Sequence, residues 1–288
     1  MIHRFNNNWI RLGYAIFSIA MLVFGFKYLN AEQNIITEKE MVIIIPSYNN
    51  AQWYKANLDS VLSQQYSNFK IIYIDDCSPD GTGTLVEEYL KTYDIDNRVT
   101  LIKNDKRQLA MANLYYAIHS CNDNVIIVNL DGDDWFAHDA VLSTINKEYL
   151  NPDVWIAYGL TKLYPQGDVW DWIREIPQEI IQNNAYRDYP WAMGNPRTFY
   201  AWLFKRIKKE DFFYEGNFFQ YTYDQAMMHP MLEMAGGRTK FIPEVLYIYN
   251  RLTPINDDKV NRDLQLFFDH YIRSKKRYTC LEPLIIYN

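Results

Sequence analysis

Between residues 41 and 130, apolar runs alternate with segments of helical periodicity, and this alternation constrains the fold more than any other feature of the chain. Four runs are rich in β-branched residues and predict strands: residues 41–46 (MVIIIP), 69–74 (FKIIYI), 99–103 (VTLIK) and 124–130 (NVIIVNL). The segments between them have the apolar spacing of amphipathic helices: residues 52–64, 84–92 and 108–120. Strands that alternate with helices predict an α/β fold built on a mostly parallel sheet.

Polar residues follow three of these strands, at the edge of the sheet where ligands of α/β proteins bind. The most acidic group follows the fourth strand and contains Asp131, Asp133 and Asp134. Three acids within four residues repel one another unless a cation or a ligand offsets their charge, and a hard divalent metal with oxygen ligands would do so. A plain turn or helix-capping role is a poor explanation for this triplet, but a good one for Ser78 and Asp80.

The composition excludes several classes of protein. The 288 residues carry a net charge of −6, whereas a basic excess is typical of nucleic-acid-binding proteins, so we expect no nucleic-acid partner. The chain has no G-x-G-x-x-G after its first strand and no G-x-x-x-x-G-K-[ST], which disfavours redox dinucleotide enzymes and P-loop NTPases. Its three cysteines are too few for a disulfide framework and lack the spacing of a structural zinc site.

Three motifs, in this order, resemble glycosyltransferase family 2. Residues 42–49 (VIIIPSYN) resemble the first strand and loop of that family, and residues 58–82 resemble its next helix, strand and turn. Residues 130–135 (LDGDDW) resemble its D-x-D region. The resemblance implies a GT-A fold, a Rossmann-like, mostly parallel sheet flanked by helices. It is strong over residues 41–136, the implied nucleotide-sugar-binding half, and weaker over residues 137–288, the implied acceptor-binding and catalytic-base half.

The resemblance also implies a reaction, in which a sugar moves from a nucleotide-sugar, by family habit a UDP-sugar, to an acceptor hydroxyl with inversion at the anomeric carbon. In the family's pattern the first loop and Asp76 would hold the base, and Asp131 would touch the ribose or the sugar. The implied nucleotide-sugar site consists of Pro46, Ser47, Tyr48, Asn49, Asp75, Asp76, Asp131 and Gly132. Asp133, together with Asp134, would bind Mn²⁺ or Mg²⁺ bridging the diphosphate.

The catalytic base implied by the resemblance is Asp224, which opens an apolar, helix-like run interrupted by Pro230. Glycosyl transfer needs such a group because the acceptor hydroxyl must lose a proton, and a metal is useful because the leaving diphosphate gains negative charge. The alternative for Asp224 is a cap of the helix that follows.

The chain departs from the family's pattern in two places. Cys77 stands where the family has glycine, and the usual Asn-Lys-Gly loop is replaced by residues 104–108 (NDKRQ). Within that loop Lys106 and Arg107 are candidate phosphate contacts, with a solvated helix start as the alternative. Arg197 is a further candidate, for the diphosphate or the acceptor.

Aromatic residues make up 16% of the chain, and five tryptophans fall within residues 151–222. Aromatic faces stack on the C–H surfaces of sugar rings, so this region is a candidate acceptor side, with ordinary core packing as the alternative. The acceptor could be a glycan, a glycoprotein or a lipid.

An uncharged apolar run, residues 12–26, lies near the N-terminus between Arg11 and Lys27. Fifteen residues span about 22 Å, short of the ~30 Å hydrocarbon core, but flanking residues extend the run towards spanning length. We predict a cytosolic tail (1–11), a transmembrane signal anchor (12–29) and a stem (30–40). A cleaved signal peptide and a buried helix are the alternatives.

The positive N-terminal flank predicts a type II, single-pass orientation. Because nucleotide-sugars are supplied to the ER and Golgi lumen of eukaryotes, we expect the catalytic domain there, or in a host's secretory system if the source is viral. Two rival functions remain at this point. A sugar-phosphate nucleotidylyltransferase would need a Gly-rich, Lys-containing signature after the first strand, where this chain has PSYNNAQWYK. A GT-A-like domain that binds a glycan or nucleotide without turnover is the other.

Overall fold

The strands predicted between residues 41 and 130 are present and lie parallel to one another. The computed structural model of the protein describes residues 37–254 and 256–282. The four strands are β1 (Met41–Ser47), β2 (Phe69–Asp75), β3 (Val99–Lys103) and β4 (Ile126–Asn129). β1 pairs with both β2 and β4, and β2 pairs with β3, in every instance in parallel. The prediction of a parallel α/β half is therefore confirmed.

The three predicted helices connect these strands, with ends that shift by two residues or fewer from the predicted ones. They are α1 (Tyr54–Leu62), α2 (Thr82–Tyr93) and α3 (Ala110–Ser120). Each buries an apolar stripe against the sheet; in α3 the stripe includes Met111, Leu114 and Ile118. This is the amphipathic spacing from which the helices were predicted.

The second half of the chain adds strands of mixed direction. Its elements are β5 (Trp135–Phe136), α4 (Val141–Tyr149), β6 (Ile156–Tyr164), α5 (Gln178–Gln182), β7 (Arg197–Tyr200), α6 (Ala201–Lys205), a 3₁₀ turn (Lys209–Phe212), β8 (Phe213–Tyr214), β9 (Asn217–Phe218), α7 (Tyr223–Ala235), β10 (Thr239–Asn250), α8 (Asp257–Val260) and α9 (Arg262–Ser274).

Within the described residues the main sheet has eight strands in the order β3-β2-β1-β4-β7-β6-β10-β5. β7 runs antiparallel to both of its neighbours, β4 and β6, while β6 and β10 are parallel. β7 therefore joins the parallel half to the rest of the sheet and brings the two halves of the chain side by side.

Both faces of the sheet are buried, and the alternation of side chains along β1 shows how. Val42 and Ile44 belong to one apolar cluster, whereas Met41, Ile43 and Ile45 belong to the cluster on the opposite face. Burying one such side chain is worth roughly 1.5–3 kcal/mol. A run that is apolar at every position, rather than at every second one, is what a strand covered on both faces requires.

Helix α7 runs without a break through Pro230, so the predicted interruption at this residue is wrong. Proline removes one backbone hydrogen bond and usually kinks or ends a helix. Every residue of α7 from Gln225 to Ala235 is buried, and packing on all sides holds the helix together despite the missing bond.

From Glu38 onward the described residues form one compact unit. A search of residues 37–254 and 256–282 finds no helix that is both long and apolar enough to cross a membrane. The predicted tail (1–11), anchor (12–29) and nearly all of the stem lie outside the described residues.

Candidate active site

A cleft of about 470 Å³ opens at the carboxyl ends of β1, β2 and β4. Loops that follow β1, β2 and β4 form one side, and the segment before β7, the start of α7 and the end of β10 form the other. Most of the predicted site residues line it: Pro46, Ser47, Tyr48, Asp76, Arg107, Asp131, Gly132, Asp133, Asp134, Arg197 and Asp224. The fold thus brings together residues that are far apart in the chain.

Three predicted site residues do not line the cleft. Asn49 has a left-handed backbone (φ 57°), and its amide donates to Ser78 Oγ at 3.0 Å. The side chain of Asp75 is buried beneath the turn, where a methyl group on Gly83 would lie 2.5 Å from Asp75 Oδ2. Lys106 is exposed on the loop after β3. The sequence identified the right loops but not which of their side chains face inward.

The acidic loop between β4 and β5 fits closely against the end of β1. A methyl group on Gly132 would lie 2.6 Å from both Cβ and Oγ of Ser47 and 2.7 Å from the amide nitrogen of Asn50. Glycine is therefore required at position 132, because the acidic loop is in direct contact with Ser47 and Asn50 at the end of β1. This contact fixes the positions of Asp131 and Asp133 on either side.

Two residues of β10 hold Asp134. The hydroxyl of Tyr247 donates to Asp134 Oδ2 at 2.7 Å, and the backbone amide of Asn250 donates to Oδ1 at 2.7 Å. The Asn250 side chain also donates to the carbonyl of Asp133 at 3.1 Å. Because both oxygens of Asp134 already accept hydrogen bonds, the structure favours an anchoring role for this residue over the predicted metal-ligand role.

Helix α1 secures the same loop from the other side. The Asn57 side-chain amide donates to the carbonyls of Asp131 (3.0 Å) and Asp134 (2.7 Å). Asn57, Tyr247 and Asn250 are not among the site residues predicted from the sequence. No local pattern marks such supports, since each acts on a loop more than seventy positions away.

The electrostatics of the loop reflect crowded carboxylates, of which Asp134 is buried and Asp131 and Asp133 are partly buried. Burial, followed by the charge of Asp131, raises the pKa of Asp133 to about 6. Burial also raises the pKa of Asp131, and a hydrogen bond from the Tyr223 hydroxyl (2.9 Å) opposes this shift. Such a pair of acids is poorly compensated by the protein alone and suits a bound cation.

Asp76 is buried at the opposite end of the cleft and accepts three hydrogen bonds at 2.8 Å. The donors are the side-chain amide of Asn104 and the backbone amides of Gln108 and Leu109. Leu109 has a positive φ of 70°, which is costly for a non-glycine residue and often found next to functional sites. The carboxylate thus organises the loop that departs from the family's Asn-Lys-Gly pattern.

Cys77 and Arg107 stand at the two places where the chain departs from the family's pattern. Cys77 has a φ of 62°, a conformation that glycine adopts without strain, which is why glycine is usual at this position. The guanidinium of Arg107 lies 3.9 Å from the centre of the Tyr48 ring, at the edge of the cleft. Arg107 therefore lies beside the loop that follows β1 and lines the cleft, whereas its neighbour Lys106 does not.

Asp224 is the second residue of α7 and lies in the cleft rather than at the helix cap. Its Oδ2 pairs with Arg197 at 3.0 Å, and its Oδ1 accepts a hydrogen bond from the backbone amide of Gln225 at 2.9 Å. Arg197 also lies beneath Trp191, with 5.4 Å between the guanidinium and the ring centre. A partly exposed carboxylate held by one arginine can accept a proton from a group bound in the cleft.

Some tryptophans of residues 151–222 line the cleft, as an acceptor side requires, and others pack in the core. Trp170, Trp172 and Trp191 line the cleft. Trp155 and Trp202 instead pack edge to face, 4.9 Å apart, against the apolar core.

The described residues contain no cluster of three or more His, Cys, Asp or Glu side chains that could hold an ion. Asp131 and Asp133 nevertheless supply hard carboxylate oxygens. Mg²⁺ and similar ions commonly bind one or two carboxylates and complete their shell with substrate phosphates and water. The residues present fit a site of that kind.

Comparison with known proteins identifies the family. The model of glycosyl transferase family 2 matches residues 42–223, well over half of the chain. The chain therefore belongs to this family and is a glycosyltransferase, as the motifs suggested.

Similar curated proteins are glycosyltransferases too. Glycosyltransferase GlyG of Streptococcus pneumoniae is 25% identical over 222 residues, covering 73% of this chain and 70% of that protein. The Escherichia coli UDP-Glc:alpha-D-GlcNAc-diphosphoundecaprenol beta-1,3-glucosyltransferase WfgD is 34% identical over 97 residues, covering 33% of this chain and 36% of that protein.

Solved structures confirm the GT-A type of fold. Staphylococcus aureus TarS (residues 1–349), in complex with UDP, superposes with a TM-score of 0.53 at 13% identity, covering 81% of this chain and 64% of that one. The Pyrobaculum calidifontis mannosyltransferase PcManGT, in complex with GDP-Man and Mn²⁺, gives 0.51 at 20% identity, covering 83% and 67%. The chain thus spans less than two thirds of the TarS fragment.

Proposed function

We propose that this glycosyltransferase moves a sugar from a nucleotide-sugar, most simply a UDP-sugar, to an acceptor hydroxyl, with metal assistance and inversion of the anomeric configuration. The observation that carries the proposal is the joint presence of Asp133 and Asp224 in one cleft. Tyr223, the neighbour of Asp224, donates its hydroxyl to Asp131 at 2.9 Å, so the acidic loop and the start of α7 are in direct contact.

The nucleotide half of the cleft has the features that a nucleoside diphosphate needs. Pro46, Ser47 and Tyr48 form its wall beside Asp76, and Arg107 supplies a cation at its edge. TarS has been crystallised with UDP-GlcNAc and PcManGT with GDP-Man, which supports a nucleotide-sugar as donor.

Asp133, with Asp131 beside it, would hold Mn²⁺ or Mg²⁺. When bound, such an ion neutralises the diphosphate as it leaves. Holding it would also relieve the repulsion that raises the pKa of Asp133. Asp134 is left as an anchor of the loop, because its oxygens are engaged by Tyr247 and Asn250.

Asp224 would act as the general base. The acceptor oxygen forms a bond to the anomeric carbon, the bond from that carbon to the diphosphate oxygen breaks, and the hydroxyl proton passes to the Asp224 carboxylate. One displacement with one base inverts the anomeric centre. Arg197 holds the carboxylate in place through the 3.0 Å ion pair.

The proposal is tested with the purified protein, a panel of UDP-, GDP- and dTDP-sugars, and Mn²⁺ or EDTA. We expect one donor to raise the melting temperature and to be hydrolysed slowly only with metal. Asp133→Asn should abolish that hydrolysis. Asp224→Asn should keep donor binding but slow transfer by about 10²–10⁴-fold. The exposed Asp153→Asn is the matched control.

Full activity of either cleft variant would contradict the role given to that residue. The anomeric configuration of the product, read by NMR, tests inversion separately.

We also propose that residues 12–29 anchor the protein in a membrane, with the catalytic domain on the side opposite the N-terminus. The apolar run and its flanking charges support this arrangement. Protease protection of closed vesicles tests it: a catalytic domain digested from the cytosolic side would show that the orientation is wrong.

A further inference from the structure

The half of the cleft that lies beyond the acidic loop has aromatic walls. Trp170 packs against Trp172 with 5.1 Å between ring centres, and against Tyr249 with 4.9 Å, so the three rings form a continuous surface. Trp191 lines the same region. All four side chains are only partly buried, unlike the aromatic residues of the core. Part of each ring is left to contact a ligand.

Two polar side chains lie among these rings, and both are more than nine-tenths buried. Asn195 is 5% exposed and Arg197 is 9% exposed. Neither Asn195 Oδ1 nor Arg197 Nε finds a hydrogen-bond partner in the described part of the chain. An unpaired acceptor and an unpaired donor are both unfavourable when buried. A hydroxyl group can satisfy both kinds of atom, because it donates one hydrogen bond and accepts others.

The charges of this half are compensated within the protein. Arg197 pairs with Asp224 at 3.0 Å, and Asp269, which also lines the cleft, pairs with Arg273 at 3.0 Å. Among the described residues that line this half, a phosphate or carboxylate on the acceptor would therefore lie beside carboxylates without an uncommitted cation to bind it. This arrangement favours a neutral ligand over an anionic one.

We propose that this half of the cleft is a saccharide site and that the acceptor is a neutral sugar. The apolar face of its ring would stack on the surface formed by Trp170, Trp172 and Tyr249, and its hydroxyls would bind Asn195 and Arg197. One of these hydroxyls would lie near Asp224. This inference rests on the proposed transferase function and narrows its acceptor from the wider set of glycans, glycoproteins and lipids.

The test uses the full chain, the donor found by metal-dependent hydrolysis, and neutral methyl glycosides of glucose, galactose, mannose and N-acetylglucosamine. A serine peptide and a lipid phosphate are the competing acceptors. We expect at least one neutral glycoside to accelerate donor consumption and to become glycosylated. Trp172→Ala should raise its KM about tenfold, and Trp172→Phe should recover most of the loss.

Trp202→Phe, which alters a tryptophan outside the cleft, is the control for changes in aromatic packing. If Trp172→Ala does not fold, as judged by its melting curve, Asn195→Ala replaces it and should raise the same KM.

Transfer to the peptide or the lipid phosphate alone would overturn the saccharide site while leaving the transferase function intact. An unchanged KM in folded Trp172→Ala and Asn195→Ala would do the same. Failure to bind or hydrolyse any donor would instead refute the proposed function, and the saccharide site with it.

Discussion

Replacing Tyr247 with phenylalanine should destabilise the protein and weaken its metal response, because the Tyr247 hydroxyl is one of the groups that support the acidic loop. The Tyr247 hydroxyl is buried; it donates to Asp134 Oδ2 at 2.7 Å and accepts from the Asp131 amide at 3.1 Å. The substitution removes only this oxygen, and the ring keeps its place in the core. The Asp131 amide and one Asp134 oxygen then each lose a partner.

The expected size follows from those two losses. A buried polar group left unpaired costs about 1–3 kcal/mol, and effects within one network are not additive. We therefore expect the free energy of unfolding to fall by about 2–4 kcal/mol. Such a loss is a large share of the roughly 5–15 kcal/mol that stabilises a typical domain.

The assay is urea unfolding in EDTA, paired with the Mn²⁺ concentration that half-activates donor hydrolysis. Tyr158→Phe is the matched control, because Tyr158 is similarly buried and its hydroxyl donates to the Arg174 carbonyl (2.7 Å) rather than to the acidic loop. It should cost about 1 kcal/mol and leave the Mn²⁺ requirement unchanged. If both variants lose the same stability and respond to Mn²⁺ alike, the loop does not depend on Tyr247.

Three further substitutions test a close backbone contact, a buried ion pair and a buried histidine. Gly132→Ala would place a methyl group 2.6 Å from Ser47 and should cost about 1–3 kcal/mol of stability, measured by thermal unfolding, together with most of the donor binding. Glu233→Gln breaks the buried pair with Arg187 (3.0 Å) and should lower the free energy of unfolding by about 3–5 kcal/mol in urea. His229 is buried and its pKa is lowered by burial and then by nearby arginine charges, so the unfolded state binds the extra proton. Stability should therefore fall as the pH drops below 6.5, by up to about 1.4 kcal/mol per pH unit, and this slope should be reduced in His229→Leu.

The parallel half of the fold was predictable from the sequence because its signals are local. Each buried strand is a continuous apolar run such as residues 41–46, and each crossover helix has its own apolar stripe. The rule that ligands bind at the carboxyl ends of the strands then placed the loops with Asp76 and Asp133 at one edge.

The second half was less predictable because its order in the sheet depends on pairing between distant segments. The short strand β7 lies between β4 and β6, and the four residues Arg197–Tyr200 alone do not predict that position. The supports of the acidic loop were missed for the same reason. The supporting roles of Asn57 and Tyr247 can be recognised only from the fold, which brings α1 and β10 next to the loop.

The acidic loop itself should reduce stability, and Asp133 allows this to be measured. Its pKa rises from 3.8 to about 6 on folding, chiefly through burial, so the folded state carries an unfavourable ionised carboxylate above pH 6. This rise in the pKa of Asp133 corresponds to about 3 kcal/mol in the free energy of unfolding. In EDTA, Asp133→Asn should thus be more stable than the unsubstituted protein at pH 7.5, by up to that amount, and the gain should disappear as the pH falls from 6 towards 4.

If the proposed metal site is right, Mn²⁺ should make the unsubstituted protein the more stable of the two, because the ion would bind only the protein that keeps the Asp133 carboxylate. A stability that is equal or lower for Asp133→Asn in EDTA at pH 7.5 would contradict the argument. The expected result would mean that Asn57, Gly132, Tyr247 and Asn250 hold in place a charge that the fold alone does not favour. In the proposed reaction such a site would be organised in advance for the leaving diphosphate, because its carboxylates would already be in place when the cation binds.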